Sequence, residues 1–360
     1  MTSLSSRIVR RSAMAVAAVA VSALALSACA SGGESTPAES TSGDAAEGFG
    51  TLAVQLSWIK NEEFAGDFFA MENGYYTEAG FDEVTLTPGP TTGAAELISG
   101  TADIAFSDAV SIGSVVAAEG APLKIIGSVY QKNPFTILSL ADGGNITTPE
   151  DLKGKKIGVQ DSNTALFKAL LAANGIDESE LEIVPVQYDP APLTNGEVDG
   201  FMAYLTNESI TVAAAGFEVA NLPFADNGLP FVAETITTTD DMIANDREKL
   251  KAYLVAEIKG WTDAVNDPEE GARLAYEIYG ADLDLNPENS IAGSIAQSEE
   301  LVVSADTEEF GLFWITPELQ EATIASLAGA GITLTAADLF DLSLLEEVYA
   351  ENPDLVAYAG

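Results

Sequence analysis

Short apolar strands alternate with amphipathic helices along residues 51–239 of this chain, and few folds accommodate that order. Residues 51–57 (TLAVQLS) interleave apolar and polar side chains, the period of a strand. Residues 61–73 predict a helix with Phe64, Phe68 and Met71 on one face, closed by Asn73-Gly74. A strand at 84–87 ends at Pro88-Gly89-Pro90. A helix at 91–99, a buried strand at 104–106, a helix at 109–119 and strands at 123–130 and 135–140 follow. A second unit repeats the order, with strands at 156–160, 181–186, 200–204 and 217–222 and helices at 166–174 and 191–196. Strand–helix alternation of this kind predicts an α/β fold with largely parallel sheets. From residue 234 the pattern changes to one more strand (234–239), then helices at 246–266, 268–279, 317–328 and 338–349. A body of this length exceeds one simple core and predicts two lobes.

The N-terminus carries a different signal. Arg7, Arg10 and Arg11 precede an apolar run at 14–26, too short to span a bilayer comfortably and suited to a secretory signal. The run ends in Leu26-Ser27-Ala28-Cys29, which resembles a bacterial lipobox, and Cys29 is the single cysteine of the chain. Residues 1–28 are therefore expected to be a removable signal, with Cys29 as the lipidated residue. Residues 29–49 lack large apolar side chains until Phe49 and predict a flexible tether.

The formal net charge is −41, from 56 Asp and Glu against 15 Lys and Arg, and histidine is absent. Such a chain offers no basic face for nucleic acid. The acid is scattered along the body and reads first as a solvated surface. No metal-ligating cluster stands out, no cofactor is expected, and no Ser/His or Cys/His pair is available for nucleophilic catalysis.

Three blocks occur in one order. The first is SWIKNEEFAG (57–66) with AMENGYYTEAGF (70–81). The second is LISGTADIA (97–105). The third is DLKGKKIGV (151–159) with GEVDGFM (196–202). At these residues the chain resembles the solute-binding proteins of ABC importers for sulfonates, nitrate and taurine. It is closer still to binders of thiamine-precursor pyrimidines and riboflavin, a family that also contains thiamine-pyrimidine synthases. The resemblance covers residues 52–208 well and the C-terminal third only in general character. It implies a two-lobed periplasmic-binding-protein fold of type II with a ligand cleft between the lobes. The chain would cross near 136–141 and 231–237, so that 50–138 and 232–360 form lobe 1 and 139–231 form lobe 2. It also implies partners: a small-molecule ligand, a permease and an ATPase, with the membrane reached through lipid on Cys29, on the extracellular or periplasmic face.

Ligands of open α/β sheets sit at the carboxyl ends of strands and the starts of helices. Trp58 follows the first strand, with Asn61, Glu62 or Glu63, and Phe64 beside it. Trp58 is either a core residue or a stacking platform, and its polar turn favours the platform. Thr91 and Thr92 open the second helix. Asp108 ends a strand and serves either as a helix cap or as a ligand contact. The second lobe offers Asp161, Asn163, Tyr204, Asn207 and Glu208, the last where the resemblance implies a carboxylate in pyrimidine binders. Beyond the signal the only arginines are Arg247 and Arg273, far from the strand ends. An acidic cleft without arginine favours a neutral or cationic planar solute over an anion, although Lys60 keeps an anionic ligand open. A synthase-like enzyme is the rival from another class, and the absence of histidine together with the commitment of Cys29 to lipid opposes it. A sensor or adhesin that kept the fold is the third reading.

Overall fold

A computed structural model describes residues 48–358. The signal segment, Cys29 and the tether through residue 47 lie outside the described residues. Ten strands are present: β1 (Gly50–Gln55), β2 (Phe81–Thr87), β3 (Ile104–Asp108), β4 (Leu123–Tyr130), β5 (Phe135–Leu140), β6 (Lys156–Gln160), β7 (Glu182–Val186), β8 (Gly200–Tyr204), β9 (Val219–Pro223) and β10 (Ala233–Thr239). They form two five-stranded sheets, ordered β2-β1-β3-β10-β4 and β7-β6-β8-β5-β9. β1 runs parallel to β2 and β3, whereas β10 is antiparallel to β3 and β4. β6 is likewise parallel to β7 and β8, and β5 is antiparallel to β8 and β9. Each sheet is thus parallel except for one inserted strand.

Burial follows position in the sheet. Edge strand β2 buries Phe81, Val84 and Leu86 and exposes Asp82, Glu83 and Thr85. Central β3 is buried from Ile104 to Ser107 on both faces, as expected of a strand covered by helices on two sides.

The chain leaves the first sheet at residues 131–134 and returns at 224–232. The outward crossing therefore lies before the expected 136–141. β5 pairs along its length with the second sheet, from Phe135 against Tyr204 to Leu140 against Val219. Residues 135–138, expected from sequence in lobe 1, pair in the second sheet.

Helix boundaries shift for local reasons. The turn Glu62–Phe64 is a separate 3-10 segment ahead of the helix Ala65–Glu72. The helix expected at 91–99 starts only at Ala94, behind Gly93 in a left-handed conformation at φ +71°. The expected 338–349 helix is two pieces, Ala336–Leu339 and Ser343–Glu351, because Phe340 between them bridges to Ile125 of β4. The helix Pro287–Gln297 had no assignment from sequence.

The helices Ala65–Glu72 and Arg247–Asn266 meet at backbone contact. A Cβ on Gly260 would overlap the Gly66 carbonyl oxygen, and one on Gly66 would overlap the Trp261 ring. In the same seam Asp67 and Glu257 are fully buried, and the Tyr76 hydroxyl donates to Glu257 Oε1. Burial, then the neighbouring Glu257, holds the Asp67 carboxyl well above the ordinary range, and burial pushes Glu257 to about 8.

Candidate ligand-binding site

The carboxyl ends of the parallel strands of both sheets face a common cleft, which holds about 810 Å³ of space free of protein atoms and is open to solvent on one side. From the first lobe come Ser57 and Trp58 after β1, Thr91 and Thr92 after β2, Ser107 and Asp108 at the end of β3, and Glu234 of β10. From the second come Phe135, Gln160, Asn163, Tyr188, Tyr204, Asn207 and Glu208.

Two loops of the first lobe are tied together. Gly89 donates its N–H to the Trp58 carbonyl at 2.7 Å and Thr91 to the Ser57 carbonyl at 3.2 Å. Gly89 leaves no room for a side chain, because a Cβ there would overlap the Ser57 carbonyl. The Trp58 ring, half-buried, meets the Tyr188 ring of the other lobe edge-on, with centroids 4.3 Å apart and an interplanar angle of 68°. The Tyr188 hydroxyl lies 3.0 Å from Ser162 Oγ.

The cleft is lined by carboxylic acids. Asp108 Oδ1 accepts from Val110 N–H at 2.8 Å and Ser111 N–H at 2.9 Å, and Ser111 Oγ donates to Oδ2 at 2.6 Å. Asp108 therefore caps the helix Ala109–Glu119 while bordering the cavity. Glu208 Oε2 accepts the Tyr204 N–H at 2.8 Å, and burial pushes this carboxyl to about 7. Glu234 is a non-glycine residue at φ +45°, at a register shift in the pairing of β10 with β3. A bulge of this kind re-aims a side chain. Ser57 Oγ donates to Glu234 at 3.1 Å, and burial brings Glu234 to about 7. Glu63 is held well above the ordinary range by burial first and by Glu234 next. Glu63 Oε1 and Ser107 Oγ are buried and have no hydrogen-bond partner among the described residues. No lysine, arginine or histidine lines the cavity.

Eight residues singled out from sequence border this cavity: Trp58, Thr91, Thr92, Asp108, Asn163, Tyr204, Asn207 and Glu208. Four do not. Phe64 points inward and packs against Phe106, with ring centroids 5.7 Å apart, so it is a core residue. Asp161 opens its turn on the exposed side. Asn61 and Glu62 line a neighbouring cavity that shares Asn207. There Asn61 Oδ1 is buried without a partner, and burial pushes Glu62 to about 7. Lys60 lines neither cavity, and Arg247 and Arg273 are occupied by Glu347 and by Glu270 with Glu277. Sequence reasoning passed over Tyr188, Gln160, Phe135 and Glu234. The available signal for Glu234 was a lone acid inside an otherwise uncharged strand, AETITTT.

A riboflavin-binding protein of Chloroflexus aurantiacus is 24% identical over 310 residues, covering 80% of this chain and 83% of that protein. A formylaminopyrimidine-binding protein of Halalkalibacterium halodurans is 23% identical over 282 residues, covering 72% and 85%. The crystal structure of the periplasmic aliphatic sulphonate-binding protein of Escherichia coli superposes with a TM-score of 0.61 at 14% identity, over 82% of this chain and 99% of that one, and so shares the fold. The family model described as NMT1/THI5 like matches residues 61–271, more than half of the chain, and the chain belongs to that family.

Proposed function

We propose that this protein is the extracellular solute-binding receptor of an ABC importer and that its ligand is a planar heterocycle of the aminopyrimidine or flavin kind. One observation carries the reading. A cleft between two lobes presents an indole ring and buried carboxyls, two polar atoms in it lack partners, and no basic side chain lines it. Relatives named for riboflavin and formylaminopyrimidine support the same ligand class. A sulfonate or nitrate site would need guanidinium groups or dense backbone donors, and the acid lining opposes it. An enzymatic reading lacks histidine and any cysteine in the body.

In this reading Trp58 stacks on the ring, while Asn207 and Glu208 bond its edge from the other lobe. The two lobes hinge at residues 131–134 and 224–232 and close on the solute. Trp58→Ala is expected to weaken binding of riboflavin or 4-amino-5-hydroxymethyl-2-methylpyrimidine by roughly 1–3 kcal/mol, about tenfold to a hundredfold. Its melting temperature should stay near that of the parent, because Trp58 is only half-buried. A core tryptophan would instead lose roughly 3–5 kcal/mol of stability on truncation. Calorimetric titration and thermal melts of the same variant decide it, and unaltered affinity would remove Trp58 from the site.

The proposed location is the outer face of the cell membrane, with lipid on Cys29 as the anchor and a permease and ATPase as partners. More than one acyl chain makes such anchoring stable. Cys29→Ser should move the protein from the membrane fraction to the medium or periplasm. Retention in the membrane fraction would dismiss the anchor.

A further inference from the structure

One wall of the cleft gathers two buried acids and two serine hydroxyls. Glu63, on the turn Glu62–Phe64, and Glu234, on the β10 bulge, are each more than nine-tenths buried and border the same cavity, close enough for each to shift the other's proton affinity. Ser57 Oγ is the one hydroxyl donating to Glu234. Glu63 Oε1 and Ser107 Oγ are left without partners and border the cavity. The groups facing the pair deepen the negative field. They are Glu62 on the same turn, Glu208 at the start of its helix and Asp108 at the end of β3, while the phenols of Tyr130 and Tyr204, kept protonated by burial, stand by as neutral groups. Asp67 also feels Glu234 through the core. No cation compensates any of these from the cavity wall.

We propose that the Glu63–Glu234 pair is a recognition site for a planar cation with paired N–H donors, an amidinium or protonated amino-heterocycle, which enters in exchange for one proton. The inference rests on the planar-ligand reading above and names the charge of that ligand.

Two carboxylates in contact inside a protein do not both stay ionised without a counter-charge. In the unliganded cleft the pair retains one proton between them. A cation that donates two N–H groups takes the place of that proton: the proton leaves to solvent, the second carboxylate becomes ionised, and the net charge of the site is unchanged. Paired N–H donors match carboxylate geometry and leave Glu63 Oε1 satisfied. A bare divalent metal fits less well, since among the described residues no group of three or more acidic, cysteine or histidine side chains is placed to hold one. The bulge at Glu234 is then explained as well. A regular strand would turn that side chain away, whereas φ +45° brings it to Ser57 on the cavity that Glu63 also borders.

The sign of the pH effect is fixed by this exchange. A cation competes with the proton, so its affinity rises with pH by about tenfold per unit while the free pair holds its proton, and levels off above that range. A neutral ligand of the same shape leaves the proton in place and shows no slope.

The test uses benzamidine, a planar cation throughout, and benzamide, its neutral isostere, titrated calorimetrically into the mature protein between pH 6 and pH 8. Two buffers of different ionisation enthalpy count the protons released. Benzamidine is expected to bind more tightly than benzamide at pH 8, to release one proton, and to weaken about tenfold at each pH unit below. In Glu63→Gln, or Glu234→Gln should the first fold poorly, the preference for benzamidine over benzamide at pH 8 should shrink about tenfold, because one of the two carboxylates that the paired N–H groups engage is gone. Equal binding of the two probes, a flat profile for benzamidine, or no benzamidine binding at millimolar concentration overturns the inference. Riboflavin and the neutral aminopyrimidine, titrated in parallel, report separately on the planar-ligand reading: their binding without any preference for benzamidine leaves that reading standing and removes only the charge assigned here.

Discussion

Glu257→Gln is expected to stabilise the protein at pH 8 and to change it little at pH 5. Burial lifts the Glu257 carboxyl from its ordinary 4.5 to about 8. The folded state therefore keeps a proton that the unfolded chain gives up above its ordinary value. Stability from this group is complete below pH 4.5 and is lost as pH climbs through about 8, at roughly 1.4 kcal/mol per pH unit. Glutamine retains an acceptor for the Tyr76 hydroxyl and cannot ionise, so the variant escapes the loss. The cleft acids Glu208 and Glu234 and the neighbouring Glu62, each near 7, act in the same sense, so the parent declines toward alkaline pH for several reasons at once. Only the difference between variant and parent reports on position 257. Denaturant unfolding at pH 5, 6, 7 and 8 measures it, and parallel curves for the two proteins would refute the buried acid.

Gly260→Val should be among the most damaging single changes outside the site. The Gly260 Cα rests against the Gly66 carbonyl, and backbone cannot yield as a flexible side chain can. Forcing extra carbon into such a seam costs typically about 1–3 kcal/mol and sometimes more. A branched residue against backbone belongs at the upper end, so roughly 3 kcal/mol or more is expected. Gly260→Ala should cost less, because alanine recovers about 1 kcal/mol of helix propensity. Gly329→Ala is the control: it lies in the helix Pro317–Gly329, and an added Cβ meets nothing within 4 Å. If Gly260→Val melts with the parent, the helices are not in backbone contact there.

Strand-to-helix order was readable because period-2 and period-3.6 patterns are local. Four strands, β4, β5, β6 and β8, begin and end where the sequence places them. Eight residues that border the cleft were readable for the same reason, since strand ends in an open α/β sheet converge on one edge. What escaped was non-local. Which sheet β5 joins is decided by β8 and β9, more than sixty residues downstream, and nothing within 135–140 announces it. The choice between Glu62 and Glu63 turns on a 3-10 segment in place of the first helical turn, which sends the neighbouring side chains to different cavities. Phe64 and Asp161 were assigned by nearness in sequence to true strand ends, but nearness does not set which way a side chain points. Tyr188 reaches the cleft from a loop without a pattern, and only the Trp58 ring across the gap marks it.

The placement of β10 between β3 and β4 orders the closure of the first sheet. β4 ends at Tyr130, and the strand that must separate it from β3 begins at Ala233. All five strands of the second sheet lie within that intervening segment. Pairings inside the segment close shorter loops than the pairing of β10 with β3 and β4, and shorter loops cost less entropy. Pairing of β3 with β4 alone would close the slot that β10 needs. β10 also carries Glu234, so the acids of the cleft come together only when the first sheet is complete.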